Sequence, residues 1–320
     1  MEQSCVIGID VGGSSLKCGL IDHSGKILDC FLQPLDGAET EQAVIKYMVN
    51  AIQQCAQQTE QAISYVGIGF PGIVDNNVII GGADNLPGFE NLPLGDILKQ
   101  ETGYDVLIDN DANMMGYGEL AYGAGKGCTD IVFITVGTGI GGAVVINGQL
   151  HGGFKNRGAE LGHIILQHNG TPCTCGAKGC FEVYASVTAL VNNYRELTAH
   201  KQLAVDGKVI VDKYIQHDAH AILAMHNHFD YMATGIASLV NIFSPQKIVI
   251  GGGISEAGAF YIQEISKRVQ HTAMPATMQH TTLVSASLGN RAGMLGCAAK
   301  ALEKVEKDNI IRKEHIIIKA

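Results

Sequence analysis

VIGIDVGGSSLKCGLID, residues 6–22, decides the fold. A short apolar run from Cys5 to Ile9 reads as a buried strand, DVGGSS breaks it, and LKCGLID resumes as a second strand. His23-Ser24-Gly25 turns the chain again and KILDCFL supplies a third strand, so the chain opens as a meander around a glycine loop. The same order returns downstream as IVFITV (131–136), GTGIGG (137–142), AVVI (143–146), the tight turn Asn147-Gly148 and QLHGG. Two copies of strand, glycine loop, strand, turn and strand, each attached to helical stretches, predict two related α/β lobes facing each other across a cleft. A third glycine loop, Gly251-Gly252-Gly253, follows the strand KIVI (247–250).

Outward from these segments, a helix is expected from about Glu41 to Glu60, and a buried strand over Val66 to Phe70 that stops at Pro71-Gly72. Met232, Ile236, Leu239, Val240 and Phe243 fall at helical spacing, and Ser244-Pro245 ends that helix. The stretch from Ala292 to about Lys304 is apolar on one face and is expected to return to the first lobe. The expected division is residues 1–109 plus about 291–320 for the small first lobe and 110–290 for the second, with no flexible linker between them.

At 320 residues, 46% apolar and 17% charged, the chain can bury a large core. A net charge of -9 and a pI near 5.7 repel phosphate backbones and anionic lipids, so neither nucleic acid nor membrane is expected as a partner. MEQSCVIGIDVGG has no basic stretch followed by a long apolar run, which leads to the expectation of a cytoplasmic protein. Of nine cysteines, Cys5, Cys18, Cys30, Cys55, Cys128 and Cys297 are scattered in apolar surroundings and read as reduced, small hydrophobes.

The other three carry chemistry. In AELGHIILQHNGTPCTCGAKGCFEVYAS, residues 159–186, His163, Cys173, Cys175 and Cys180 have metal-ligand spacing, and Gly176 and Gly179 permit the sharp turns such a cluster needs. Three thiolates and an imidazole select Zn²⁺, and four protein ligands leave no open position, so the metal would be structural. It would also fix the backbone of Glu160, three residues before His163, and of Glu182, two after Cys180. Glycines after strands let backbone N–H groups converge on phosphate, which would let an acidic protein hold a phosphorylated ligand with backbone donors in place of lysines. One such loop is more often only a turn; three at strand ends carry the reading.

YDVLIDNDANMMGYGE, residues 104–119, has a strand from Val106 to Ile108 that gives way to Asp109-Asn110-Asp111 and a helix. At least one of the two aspartates is expected to cap that helix, which leaves the other for chemistry. Asp10 reads either as a turn-initiating residue or as a carboxylate for a metal ion. His151, His168 and the histidines from His217 to His228 show no metal-ligand pattern and read as ordinary surface or helix residues.

VIGIDVGGSSLKCGLID, VGTGIGG and IVIGGGIS resemble the phosphate-1, phosphate-2 and adenosine segments of actin-like sugar kinases, and residues 159–186 resemble the signature of the ROK family (repressors, open reading frames and kinases). The resemblance implies a two-lobed, actin-like (ribonuclease H-like) ATPase fold with its active site in the interlobe cleft and a small zinc subsite. It implies Mg-ATP bound by Asp10, Gly12, Gly13, Ser14, Ser15, Lys17, Gly137, Thr138, Gly139, Gly251, Gly252 and Gly253, with Asp10 positioning Mg²⁺. It makes Asp111 the base that accepts the sugar proton, and Gly72, Asn85, Asn110, Glu160, His163 and Glu182 further sugar contacts, with His163 shared with the zinc. Ser14-Ser15 departs conservatively from the Thr usual after the glycine pair.

The implied substrate is a hexose or amino-hexose, glucose first and N-acetylmannosamine next, with other hexoses and glucosides open, and the implied assembly is a homodimer or homotetramer. A sugar-responsive repressor of the same family would need an N-terminal helix-turn-helix, whereas here the first strand is expected within a few residues of Met1. An actin-like ATPase without a sugar substrate would leave the Glu-Leu-Gly-His and cysteine cluster unexplained.

Overall fold

The structure, a computed structural model, describes residues 4–83, 86, 88–200 and 204–319. The chain divides into two compact units, Met1–Gly123 with Gly152–Gly158 and Asn290–Ala320, and Ala124–His151 with Ala159–Gly289. The first unit contains β1 (Cys5–Val11), β2 (Ser15–Asp22), β3 (Ile27–Pro34), α1 (Glu41–Gln57), β4 (Ile63–Phe70), β5 (Ile73–Asp75), β6 (Val78–Gly81), α2 (Leu94–Thr102), β7 (Val106–Asn110) and α3 (Asp111–Tyr122). The second contains β8 (Ile131–Val136), β9 (Ile140–Ile146), β10 (Gln149–Leu150), α4 (Glu182–Ala185), α5 (Val187–Leu197), α6 (Gly207–Ile215), α7 (Ala219–Phe243), β11 (Lys247–Gly251), α8 (Ala259–Thr272), α9 (Pro275–Met278) and β12 (Thr282–Ser285). α10 (Ala292–Lys319) belongs to the first unit.

The repeat read from the sequence is present in the sheets. In the first, the order is β3-β2-β1-β4-β7; in the second, β10-β9-β8-β11-β12. Both have antiparallel pairs over their first three strands and parallel pairs thereafter. The first two glycine loops therefore each join a central strand to its antiparallel neighbour, and the parallel strands arrive by helical crossovers. β5 and β6 form a separate two-stranded ribbon.

The burial pattern follows from position. Every residue of β1, a central strand, is buried, whereas β3 at the edge alternates between half-buried and exposed. That alternation exposes Cys30, unlike its expected apolar setting; Cys5, Cys18, Cys55 and Cys297 are buried and Cys128 is half-buried. α1 starts where the Thr40 hydroxyl accepts from Ala43 N, and buries Val44, Met48, Ala51, Ile52 and Cys55 along one stripe. It ends at Gln57, three residues short of the expected limit.

α10 packs on β1, β4 and α3. It continues to Lys319, well past Lys304, because no glycine or proline follows Gly296 and the pairs Glu303–Lys307 and Lys304–Asp308 support successive turns. Tyr117 donates to Glu303 Oε2 at 2.9 Å, joining α3 to α10. The compact division thus carries α3, and Asp111 with it, in the first unit, where the sequence alone draws the line at residue 109. No helix among the described residues is long and apolar enough to cross a membrane.

Candidate active site

The β1–β2 hairpin places the first set of candidate residues. Gly12 N donates to Ser15 O at 2.9 Å, which closes a turn with Gly12, Gly13 and Ser14 exposed at its tip. Asp10, only 7% exposed at the end of β1, accepts from Lys17 Nζ at 3.1 Å. The first turn of α10 limits its space, since a Cβ on Gly293 would lie 2.6 Å from Asp10 Cγ. Gly293 is a neighbour of this carboxylate that sequence reasoning did not find, because it lies 283 positions further along the chain.

Asn110 caps α3, so neither neighbouring aspartate has the expected cap role. Its Oδ1 accepts from Asn113 N at 3.1 Å and its Nδ2 donates to Gly72 O at 2.9 Å. Gly72 adopts φ 91°, a left-handed conformation that suits glycine. Asp109 is instead a structural acceptor: its Oδ1 takes Asn110 N at 2.7 Å, Asn113 Nδ2 at 3.0 Å and Asn156 Nδ2 at 2.9 Å. Asp111 occupies the first turn of α3, where the helix dipole favours its anion, and accepts from Ala112 N at 2.8 Å. Asn85 lies outside the described residues.

In the second unit, the cysteine cluster is assembled. One ligand atom from each of His163, Cys173, Cys175 and Cys180 falls within 4.8 Å of the others. Cys173 Sγ is 3.7 Å from His163 Nδ1, and Cys175 Sγ is 3.6 Å from Cys180 Sγ. A tetrahedral Zn²⁺ with bonds of about 2.3 Å to sulfur sets its ligands roughly 3.7 Å apart, so these four fit the ion. Gly176 and Gly179 adopt φ 90° and 84°, as the turns require. The backbone N–H of Ala177 helps hold the Cys175 thiol below its ordinary range, while burial and the neighbouring Cys175 push Cys180 up to about 12. Nδ1 facing the thiols leaves His163 Nε2 for another partner.

This segment continues into the second glycine loop. Glu182 Oε2 accepts from Ile140 N at 2.8 Å, Val187 N donates to Gly137 O at 2.8 Å, and Thr188 Oγ1 donates to Thr138 O at 2.7 Å. One Glu182 oxygen is therefore committed to the loop. Glu160 is exposed immediately before the 3₁₀ turn Leu161–His163.

Gly137 and Thr138 line a cavity of about 640 Å³ together with Gly253, Glu256 and α6. Gly139 lies against the Glu182 carboxylate, Gly251 is buried within β11, and Gly252 has φ 90° at the strand end. The cavity also has Asp206, Lys208 and Asp212 on its wall, none of which sequence reasoning singled out, since α6 carries no motif. Asp206 caps that helix by accepting from Val209 N at 2.8 Å.

The ROK family model matches residues 6–304. A glucokinase of Thermotoga maritima is 36% identical over 317 residues, 95% of this chain and 99% of the relative. A ROK family glucokinase of Streptomyces griseus, solved in complex with glucose and AMPPNP, is 30% identical with a TM-score of 0.79, over 93% of this chain and 99% of that one. A xylose repressor of Bacillus spizizenii is 29% identical over 93% of this chain and 77% of the repressor.

Proposed function

The chain belongs to the ROK family, and from that premise we propose that it is an ATP-dependent sugar kinase that phosphorylates a hexose hydroxyl, glucose to glucose 6-phosphate first. The observation that carries this reading is the Glu182 to Ile140 hydrogen bond. It makes the segment assigned to sugar and the loop assigned to phosphate one continuous piece beside a nucleotide-sized cavity.

Phosphoryl transfer needs an in-line hydroxyl, an acceptor for its proton and fixed donors around the moving oxygens. Asp111 takes the proton, Asn110 turns its remaining amide hydrogen to the sugar, and Glu160, His163 Nε2 and the free oxygen of Glu182 bind further hydroxyls. The backbones of Gly12, Gly13, Ser14 and Ser15, with Lys17 on the strand that follows, and those of Gly137, Thr138 and Gly139 receive phosphate, and Gly253 borders the adenosine. Asp10 offers the hard oxygen donor that Mg²⁺ selects. His163, Cys173, Cys175 and Cys180 would hold a zinc ion whose chemistry is structural, keeping Glu160 and Glu182 in place.

ADP release with Mg-ATP is the test, across glucose, mannose, fructose, N-acetylmannosamine, N-acetylglucosamine, allose and cellobiose, with Asp111→Asn as control. Turnover on one sugar, reduced at least ~100-fold in the variant, is expected. Full activity in Asp111→Asn overturns the base assignment, and silence from folded, zinc-loaded protein returns weight to a sugar-sensing regulator, the reading that the repressor relative favours.

A further inference from the structure

A second cavity, of about 570 Å³, lies in the second unit among α4, α5 and α7. It shares no lining residue with the cavity at the glycine loops. Its polar lining comprises the amides of Asn192, Asn193 and Asn227, the carboxylates of Glu196 and Asp230, and the imidazole of His228. Among the described residues no Lys or Arg lines it, and one of its carboxylates, Asp230, is already paired with Arg268 at 2.6 Å. That leaves a wall rich in hydrogen-bond acceptors and amides, hostile to anions and suited to hydroxyl groups.

His228 is the second, independent observation. It is 2% exposed, and its Nε2 is 2.7 Å from the Tyr261 hydroxyl, yet its Nδ1 has no hydrogen-bond partner among the described residues. A buried imidazole is neutral, so whichever tautomer it adopts, Nδ1 is either a donor without an acceptor or an acceptor without a donor. The atom itself is out of contact with solvent, so a partner in the cavity that His228 lines would meet Nδ1 through a turn of the ring. Tyr184 and Tyr231, stacked with centroids 4.7 Å apart, join Val183, Ala189, Leu190 and Ala224 as apolar surface beside the amides and carboxylates. Amides, carboxylates and an aromatic wall together match a molecule with many hydroxyls and apolar C–H faces.

We propose that this cavity is a second, non-catalytic binding site for a neutral mono- or disaccharide. Its occupant reaches the reaction through α4. Val183 and Tyr184 line the cavity, and Glu182, on the same short helix, holds the second glycine loop through Ile140 N. Tyr184 also accepts from Thr171 N at 2.7 Å, within the cysteine segment. Sugar bound here stiffens α4 and changes the apparent affinity at the site that Glu182 serves.

The test is calorimetric titration of the full chain with glucose, N-acetylmannosamine, maltose and sucrose, in the wild type, Asn193→Leu, Glu196→Ala and Glu160→Ala. At least one sugar is expected to bind in Glu160→Ala and to lose tenfold or more in affinity in Asn193→Leu and Glu196→Ala. It should also slow amide exchange over residues 183–196 and 224–231. If the kinase reading alone fails, binding that Asn193→Leu removes persists. Binding that Glu160→Ala abolishes and the two cavity variants leave intact overturns the proposal. So does an absence of binding by all four sugars, or conversion of a dimer to monomer by Asn193→Leu, which would make the cavity an interface between copies.

Discussion

At the residue scale, the Asp10 carboxylate is confined from two directions, by Lys17 Nζ at 3.1 Å and by the Cα of Gly293. In Gly293→Ala the added carbon would sit 2.6 Å from Asp10 Cγ, so the carboxylate must turn away from its place. Overpacking of this kind costs about 1–3 kcal/mol, and a misplacement near 1 Å lowers turnover by roughly 100-fold. The expected result is a kcat loss of 10- to 100-fold by steady-state kinetics with melting only modestly lowered; unchanged kcat would detach Asp10 from the reaction. His228 makes a second residue-scale prediction. Burial pushes its imidazole from 6.5 down to about 4, so protonation is disfavoured in the folded state. Its contribution is therefore fully present above pH 6.5 and is lost as pH falls toward 4, by about 2 kcal/mol at pH 5. Urea midpoints at pH 7.5 and 5 should converge in His228→Leu relative to the wild type, and an equal fall in both proteins would remove His228 as the cause. Neither contact was legible in the sequence, because Gly293 meets Asp10 and Tyr261 meets His228 only through the tertiary fold. Asn110, by contrast, stands out in the sequence as a candidate, while its capping role was not legible, since Asp, Asn and Asp in succession all suit that position.

At the element scale, the cysteine segment was the most legible part of the chain. Four ligands with two turn-forming glycines specify their own geometry, independently of what packs around them. The links from α4 and α5 to the second glycine loop were not legible, because two of the three use a backbone carbonyl as acceptor and leave no trace in residue type. These links make the predicted effect of metal loss broader than a sugar defect. Cys175→Ser should bind less than one zinc per chain by elemental analysis and raise KM for sugar. It should also raise KM for ATP, by severalfold, as Gly137 and Thr138 lose their support from Val187 and Thr188. A rise confined to sugar would show that the loop keeps its conformation without the segment. The length of α10 escaped the sequence because the apolar stripe read from Ala292 stops near Lys304, whereas ion pairs carry the helix on through Asp308.

At the scale of the whole molecule, two sheets with the same strand order carry different chemistry on equivalent loops. The loop of the first unit has a buried carboxylate and a lysine, whereas that of the second has Glu182 and the ends of two helices behind it. The repeat was readable because strand, glycine loop and strand recur with their turn residues. The asymmetry between the copies was readable only where residue types differ. It leads to a prediction about where ligands act. AMPPNP at about 100 times its Kd stabilises a protein that binds it by about 2.7 kcal/mol, and amide exchange resolves which segments receive that stabilisation. With the 640 Å³ cavity as the adenosine site, AMPPNP without sugar should slow exchange over residues 136–138, 206–215 and 253–257, all in the second unit. Asp111→Asn should give the same pattern, because the proposed function assigns its carboxylate to the sugar and not to the nucleotide base. Sugar without AMPPNP should protect residues 110–113 and 160–163 instead. Protection by AMPPNP that bypasses α6 would move the nucleotide out of this cavity, and α6 with its Asp206, Lys208 and Asp212 would then have no part in binding it.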